Sequence, residues 1–148
     1  MIQGFRYELA PNKHQESLLR KHAGTARFAY NWGLELVRSG AFKPNAIKLH
    51  KELCIRKKSE FPWMYEVSKC APQEALRDLQ QAFQNFYAHR AKYPQFKRKG
   101  RDDSFRLSGS IKVLDSRHIQ LPRIGRIRTK EKTDKFKGRI LSATVKRE

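Results

Sequence analysis

"YPQFKRKGRDDSF", Tyr93–Phe105, divides the chain into two parts with different hydrophobic periods. Before it, apolar side chains recur every three or four residues, the spacing of one helix face. After it they come in short alternating or β-branched runs, the pattern of strands. The divide itself is unusual. Tyr93, Pro94 and Phe96 lead into Lys97, Arg98, Lys99 and Arg101, and Asp102 and Asp103 come at once after them. Such a run is either a solvated linker or a grip on a polyanion.

Upstream, "TARFAYNWGLELVRSG" repeats Phe28, Trp32 and Leu36, with Tyr30, Leu34 and Val37 widening the stripe. Gly40 is placed to end that helix. An earlier helix is predicted from Pro11, with Leu18, Leu19 and His22 facing inward. Gly24 interrupts it and Thr25 is placed to cap the next one. Two helices around a glycine-bearing turn form a helix-turn-helix-like corner. "NAIKLHKELCIRKK" predicts a third helix, with Ala46, Leu49 and Leu53 inside and Lys48, Lys51, Arg56 and Lys57 outside. "EFPWMYEV" is an aromatic connector. "APQEALRDLQQAFQNFYAHRAK" predicts the strongest helix, opened near Pro72, with an apolar face of Leu76, Leu79, Phe83, Phe86 and Tyr87. Arg90 and Lys92 suit its negative end.

Downstream, "SFRL", "IKVL", "HIQL", "RIGRIR" and "ILSATV" read as strands. They are separated at Ser108–Gly109–Ser110, Asp115–Ser116, Pro122, Gly125 and Lys137–Gly138. Near the start, "GFRYEL" alternates Phe5, Tyr7 and Leu9 against Arg6 and Glu8, also a strand period. That strand has no neighbour except the distant ones. The expectation is therefore an α+β fold: a small antiparallel β barrel interrupted by a helical bundle. Residues 1–10 supply its first strand, 11–93 the bundle and 94–148 the remaining strands.

Charge narrows the function. The chain has 148 residues, of which 33 are Lys or Arg and 14 are Asp or Glu, a formal +19. With 39% hydrophobic residues it can still bury a core. A surface so positive suits a polyanion, because each neutralised phosphate releases counterions. No run approaches the roughly 18 apolar residues of a membrane span. "MIQGFRYELAPNK" lacks the basic head and apolar run of a signal peptide, so no membrane partner and a cytoplasmic location are expected. Cys54 and Cys70 are the two cysteines. His50 stands four residues before Cys54, but zinc takes four ligands and no CxxC completes a set. No metal and no cofactor are expected. Nor do convergent acids, bases or nucleophiles stand out: Glu74 and Asp78 flank Arg77, and adjacent strand carboxylates such as Asp102 and Asp103 face opposite ways.

The candidate phosphate-binding residues are Lys97, Arg98, Lys99 and Arg101 of the divide. Arg123, Arg126 and Arg128 of "RIGRIR" join them by alternating with Ile124 and Ile127. Arg27 and Arg77, from the helices, complete the set.

Taken in order, "YELAPNKHQESLLRKHAGTARFAYNWGLEL", "WMYEVSKCAPQEALRDLQQAFQNFYAHRAKYPQFKRKGRDDSF", "IQLPRIGRIR" and "GRILSATVKRE" resemble the N-terminal part of TnpB (OrfB) proteins. These are transposon-encoded, RNA-guided DNA nucleases related to type V CRISPR effectors, long described as transposases of insertion sequences with an N-terminal helix-turn-helix. The resemblance covers most of the chain. It implies a wedge-type barrel interrupted by a recognition bundle, which together hold a guide RNA scaffold and read a short motif beside a double-stranded DNA target. The motif readers would be Lys69 and Gln73, at the start of the long helix, and Ser108. Gln pairs bidentately with adenine, and Lys donates to guanine or phosphate. Such nucleases continue into a RuvC-like domain with three catalytic carboxylates and a zinc ribbon. This sequence stops at Glu148, where that domain would begin, so the expectation is binding of RNA and DNA without cleavage. A separate nuclease chain is a further partner candidate. The alternatives are a stand-alone helix-turn-helix DNA regulator, a structural protein of a ribonucleoprotein, and a degenerate transposase remnant.

Overall fold

A computed structural model describes residues 3–133 and 138–147. The chain is mixed helix and sheet. The element order is β1 (Leu9–Ala10), α1 (Lys13–Arg38), α2 (Ala46–Ser59), a 3-10 turn (Pro62–Glu66), α3 (Cys70–Tyr87), β2 (Ser104–Ser108), β3 (Lys112–Asp115), β4 (His118–Leu121), β5 (Gly125–Thr129) and β6 (Ser142–Lys146).

The first helix starts on a capping box. Asn12 Oδ1 accepts from the Gln15 backbone N–H at 2.8 Å, and Gln15 Oε1 accepts from Asn12 N–H at 3.1 Å. Pro11 thus precedes the cap rather than opening the helix. Gln15 Nε2 also donates to the Arg126 carbonyl, which ties the helix start to β5.

Helix α1 then runs unbroken through Gly24, and the corner expected there does not form. Thr25 does not cap; its hydroxyl donates back to the Lys21 carbonyl at 2.8 Å, a bond that belongs to a helix interior. Packing overrides the glycine. Ala23, Ala26, Ala29, Tyr30, Gly33 and Leu34 form one buried face against α3. The sequence stripe of Phe28, Trp32 and Leu36 lies beside this face and is only half-buried. Gly33 marks the closest approach of α1 and α3: a Cβ there would meet Leu76 Cδ2 at 2.8 Å and Leu79 Cδ2 at 2.9 Å.

Helix α2 buries Ala46, Leu49 and Leu53, the three positions its period selects. In the connector, Met64 is fully buried, and Phe28, Phe61 and Trp63 pack edge to face. Helix α3 buries Ala71, Ala75, Leu76, Leu79 and Phe83. It ends at Tyr87, before the expected Arg90 and Lys92, because His89 turns left-handed at φ 59° and Arg90 N–H closes on the Asn85 carbonyl. Tyr87 is exposed. Tyr93 takes its place, edge-on to Phe83 and Phe86.

All five downstream runs contain strands. They form two open antiparallel sheets rather than the expected barrel: β1-β5-β4-β3, and β2-β6 as a separate pair. The first strand does reach the distant ones, with Leu9 opposite Thr129 and Ala10 opposite Arg128. It is only two residues long, too short to close a wall, and among the described residues β2 pairs only with β6. Of the expected turns, Lys137 lies outside the described residues. One hydrophobic core joins helices and sheets, running from Ala29, Leu34 and Leu79 to Phe105, Leu107, Leu121 and Ile127. Among the described residues no helix is long and apolar enough to cross a membrane.

Candidate nucleic-acid interface

The basic divide is a built loop. Asn31 of α1 grips it from both sides of one residue: its Nδ2 donates to the Lys97 carbonyl at 3.0 Å, and its Oδ1 accepts from Lys97 N–H at 2.7 Å. The Lys97 ammonium lies 4.5 Å from the Tyr30 ring centroid, and the Arg38 guanidinium lies 5.2 Å from that of Phe96. Lys97 therefore anchors the loop as much as it charges it. Burial, with Asp78 and Asp102 nearby, raises the Tyr30 phenol above its usual range, so the ring stays neutral beneath that cation.

The two aspartates shape the rest of the loop. Asp102 Oδ2 accepts from Arg98 N–H at 2.8 Å, and Asp103 accepts from Gly100 N–H at 3.2 Å. Gly100 sits at φ +82°, where a side chain would be strained. Asp103 also pairs with Arg27 at 2.8 Å, in side chains only 14% and 18% exposed. The side chains of Arg98, Lys99 and Arg101 stand exposed around this turn, with no acidic partner among the described residues. Arg27, expected to meet phosphate, is instead engaged in holding the loop to α1.

A second acid–base cluster ties α3 to β2. Glu74 is buried and accepts from Arg106 at 2.8 Å and from Arg77 at 2.7 Å; Arg106 also reaches Asp78 at 2.7 Å. The Arg106 pKa rises: burial opposes the charge, but the bonds to Glu74 and Asp78 outweigh it. Arg77 keeps more than half its side chain in solvent.

At the α3 N-terminus the N-cap Lys69 makes no side-chain bond, and Ser68 before it takes up free backbone donors. Its Oγ accepts from Cys70 N–H at 3.2 Å and its carbonyl from Ala71 N–H at 3.2 Å, while Pro72 has no N–H to satisfy. Lys69 stands exposed at this start, and Gln73 is half-buried one turn along. Cys70 Sγ donates to the Ser108 carbonyl at 3.6 Å and contacts its hydroxyl at 3.7 Å. Lys69, Gln73 and Ser108 thus share one end of the molecule.

On β5, Ile127 and Thr129 face in and Arg126 and Arg128 face out, as the alternation predicts. Arg126 pairs with Asp115 at 3.1 Å, and Asp115 also bonds His118 at 2.8 Å. Arg117 N–H, His118 and Arg126 hold the Asp115 carboxyl below the usual range. Arg123 lies off the strand, in a turn at φ 66°, with its guanidinium on the Tyr65 carbonyl. Cys54 Sγ is 3.7 Å from His50 Nε2, but no group of three metal-ligand side chains forms among the described residues.

The positive residues thus divide by their contacts. Arg98, Lys99, Arg101 and Arg128 present charge to solvent, whereas Arg27, Arg106 and Lys97 hold the fold that presents it. Sequence spacing alone could not separate these two roles, because the acidic partners stand up to 76 positions away.

Comparison with known proteins places the chain among relatives. The helix-turn-helix domain family of IS605-type OrfB proteins matches residues 1–39. In this chain most of that segment is the single helix α1. A candidate RNA-guided DNA endonuclease of Escherichia coli (strain K12), InsQ, is 29% identical over 86% of this chain and 33% of its own length. Another of the same description, from Mycobacterium tuberculosis (strain CDC 1551 / Oshkosh), is 30% identical over 99% of this chain and 39% of its own. A third, from Streptomyces pristinaespiralis, is 36% identical over 63% of this chain and 24% of its own. The chain therefore spans between a quarter and two-fifths of the length of these relatives. On the matched helix-turn-helix segment and these likenesses, it corresponds to the N-terminal region of the TnpB/OrfB family.

Proposed function

We propose that these residues form a nucleic-acid-binding module that holds a guide RNA on its basic loop and reads a short motif of duplex DNA with the start of α3. The carrying observation is the loop itself. Arg98, Lys99 and Arg101 are exposed and unpaired, on a turn fixed by Asn31, Asp102 and Asp103. A fixed turn meets phosphates without first losing conformational freedom, so its charges favour binding more than a floppy linker's would. The relatives' description as RNA-guided DNA endonucleases supports RNA and DNA as the two partners.

Lys69, Gln73 and Ser108 are the motif readers in this account. They share one end of the fold, at the positive pole of α3, where a phosphate backbone is favoured and a glutamine can meet a base edge. The reading assigns no cleavage to these residues. Two-metal hydrolysis needs convergent carboxylates, and Asp103, Glu74, Asp78 and Asp115 are each engaged with an arginine. A nuclease step would come from further protein, in the same chain or another. The wedge-type barrel of this reading would need β1 and the β2-β6 pair to be joined by additional strand contacts.

The test is recovery of nucleic acid. The tagged protein is purified from its host and the co-purifying RNA sequenced. One enriched transcript from beside its own gene supports the reading; a featureless mixture lost as salt rises contradicts it. Gln73→Ala separates the DNA role. It should erase motif preference and leave RNA affinity nearly intact, whereas equal loss on all DNA sequences would rule out base reading.

A further inference from the structure

Beside the basic loop, α1 floors an open groove of about 740 Å³. Its residues come from four segments far apart in sequence: Gly24, Trp32 and Glu35 from α1, Arg56 from α2, Trp63 from the connector and Phe96 from the divide. Three features of this groove are not explained by the fold. The first is the surface its aromatic walls leave open: Trp63, edge-on to Phe28 and Phe61, is still 43% exposed, and Phe96, with Arg38 over its ring, is still 41% exposed. The second is Gly24, which lies in mid-helix, where glycine is unfavourable, yet a Cβ there would meet only Arg27 at an ordinary 3.6 Å. The glycine leaves the floor open without any internal need for it.

Glu35 is the third feature. In a chain of +19, every other described acidic side chain has an ion pair or a hydrogen bond. Glu35 has neither, and it lines the groove. A carboxylate there repels phosphate and accepts hydrogen bonds. The groove's aromatic walls offer stacking surface, and the exposed Arg98, Lys99 and Arg101 of the adjoining loop attract a polyanion's backbone, whereas the groove's own Arg27 and Arg56 are paired with Asp103 and Glu52. A nucleobase with N–H donors satisfies all three demands. Guanine fits best, because its adjacent N1–H and N2–H groups match the two oxygens of one carboxylate.

We propose that this groove is a pocket for a single unpaired guanine of a strand held on the basic loop, stacked against Trp63 and Phe96 and read by Glu35. The proposal rests on the nucleic-acid reading above and gives it a base-specific site that the loop alone lacks. Phosphate contacts position a strand but carry no sequence information; a carboxylate on a base edge does.

Both tryptophans of the protein, Trp32 and Trp63, line this groove, so their fluorescence reports on it directly. The experiment titrates the full chain with end-labelled 15-nucleotide oligouridylates carrying one central guanosine, inosine or uridine. Label anisotropy reads total binding and tryptophan emission reads the groove. The guanosine strand should quench saturably, and the inosine strand, lacking the N2 amine, should need about fivefold more or beyond for the same quench. Glu35→Gln, an exposed and fold-neutral change, should remove that preference. A deoxyribose strand of the same sequence should quench equally; quenching by ribose alone would assign the site to sugar and overturn the proposal. Anisotropy change with no quenching, or quenching indifferent to the central base, would also overturn it while leaving the nucleic-acid reading standing. No anisotropy change for any strand would remove both.

Discussion

Asn31 and Lys97 are joined by two hydrogen bonds, 2.7 Å and 3.0 Å, that close an amide ring between α1 and the basic loop. No other side chain binds both the N–H and the carbonyl of a loop residue among the described ones. Replacing Asn31 with leucine leaves both Lys97 backbone groups without partners. The expected cost is about 1–3 kcal/mol, read as a lower urea midpoint. Nucleic-acid affinity should fall with it, since the same charges would then lie on a mobile turn.

His22 makes stability depend on pH. It is fully buried; its Nδ1 lies 2.7 Å from the Leu18 carbonyl and its Nε2 accepts from Ser68 N–H at 3.0 Å. Those two bonds require the neutral ring protonated on Nδ1. The groups facing it are the Phe105 ring and the positive charge of Arg123. Burial, mainly, holds its pKa below the ordinary 6.5, against the raising effect of the Leu18 bond. The unfolded chain therefore binds a proton first. Its stabilising contribution is complete above pH 6.5 and is lost as pH falls from there toward the folded pKa. Urea unfolding at pH 7.5 and 5.5 should show a lower midpoint at the acid end, and His22→Gln should remove most of that difference.

Two glycines of one helix should respond oppositely to alanine. At Gly33 the new methyl would press on Leu76 and Leu79 at under 3 Å, so α1 and α3 must separate, at about 1–3 kcal/mol. At Gly24 nothing opposes it, and helix propensity should add up to about 1 kcal/mol. Thermal melts of the two variants check the sign of each.

Glu74 is buried between Arg106 and Arg77. Glu74→Ala strands Arg106 near the interior while costing Arg77 little, because that side chain is over half exposed. A loss of about 2–4 kcal/mol is expected, below that of a fully buried pair because Arg106 retains Asp78. Arg77→Ala should cost under about 1 kcal/mol, and the contrast between the two melts tests the assignment.

Much of this architecture is legible in the sequence, and the exceptions have physical causes. Strands β2 and β5 obey alternation because each has one buried face, Phe105 and Leu107 in β2 and Ile127 and Thr129 in β5; β6 alternates more weakly, with Ala143 and Val145 half-buried, and β3 buries none of its residues. Helix α2 is legible because Ala46, Leu49 and Leu53 alone face the core. The break expected at Gly24 is absent because local propensity is weaker than the burial of Ala23, Ala26 and Ala29 on either side. The closed barrel is absent because alternation in "GFRYEL" gives no information about pairing, and the ladder takes only Leu9 and Ala10. At the candidate interface, the cluster of positive charge is visible in the sequence, but its division into anchors and exposed charges is not. Arg27 meets Asp103 and Asn31 meets Lys97 only after folding. The groove is invisible for the same reason, since four segments build it.

The central claim is that Arg98, Lys99 and Arg101 contact phosphates. The salt dependence of single-stranded RNA binding tests it most directly, comparing the native chain with a variant carrying alanine at all three. Each lost phosphate contact on a single strand lowers the slope of log K against log salt by about 0.7. The account predicts weaker binding and a slope reduced by about two units. An unchanged slope, whatever the affinity, would contradict it and leave the loop a solvated joint.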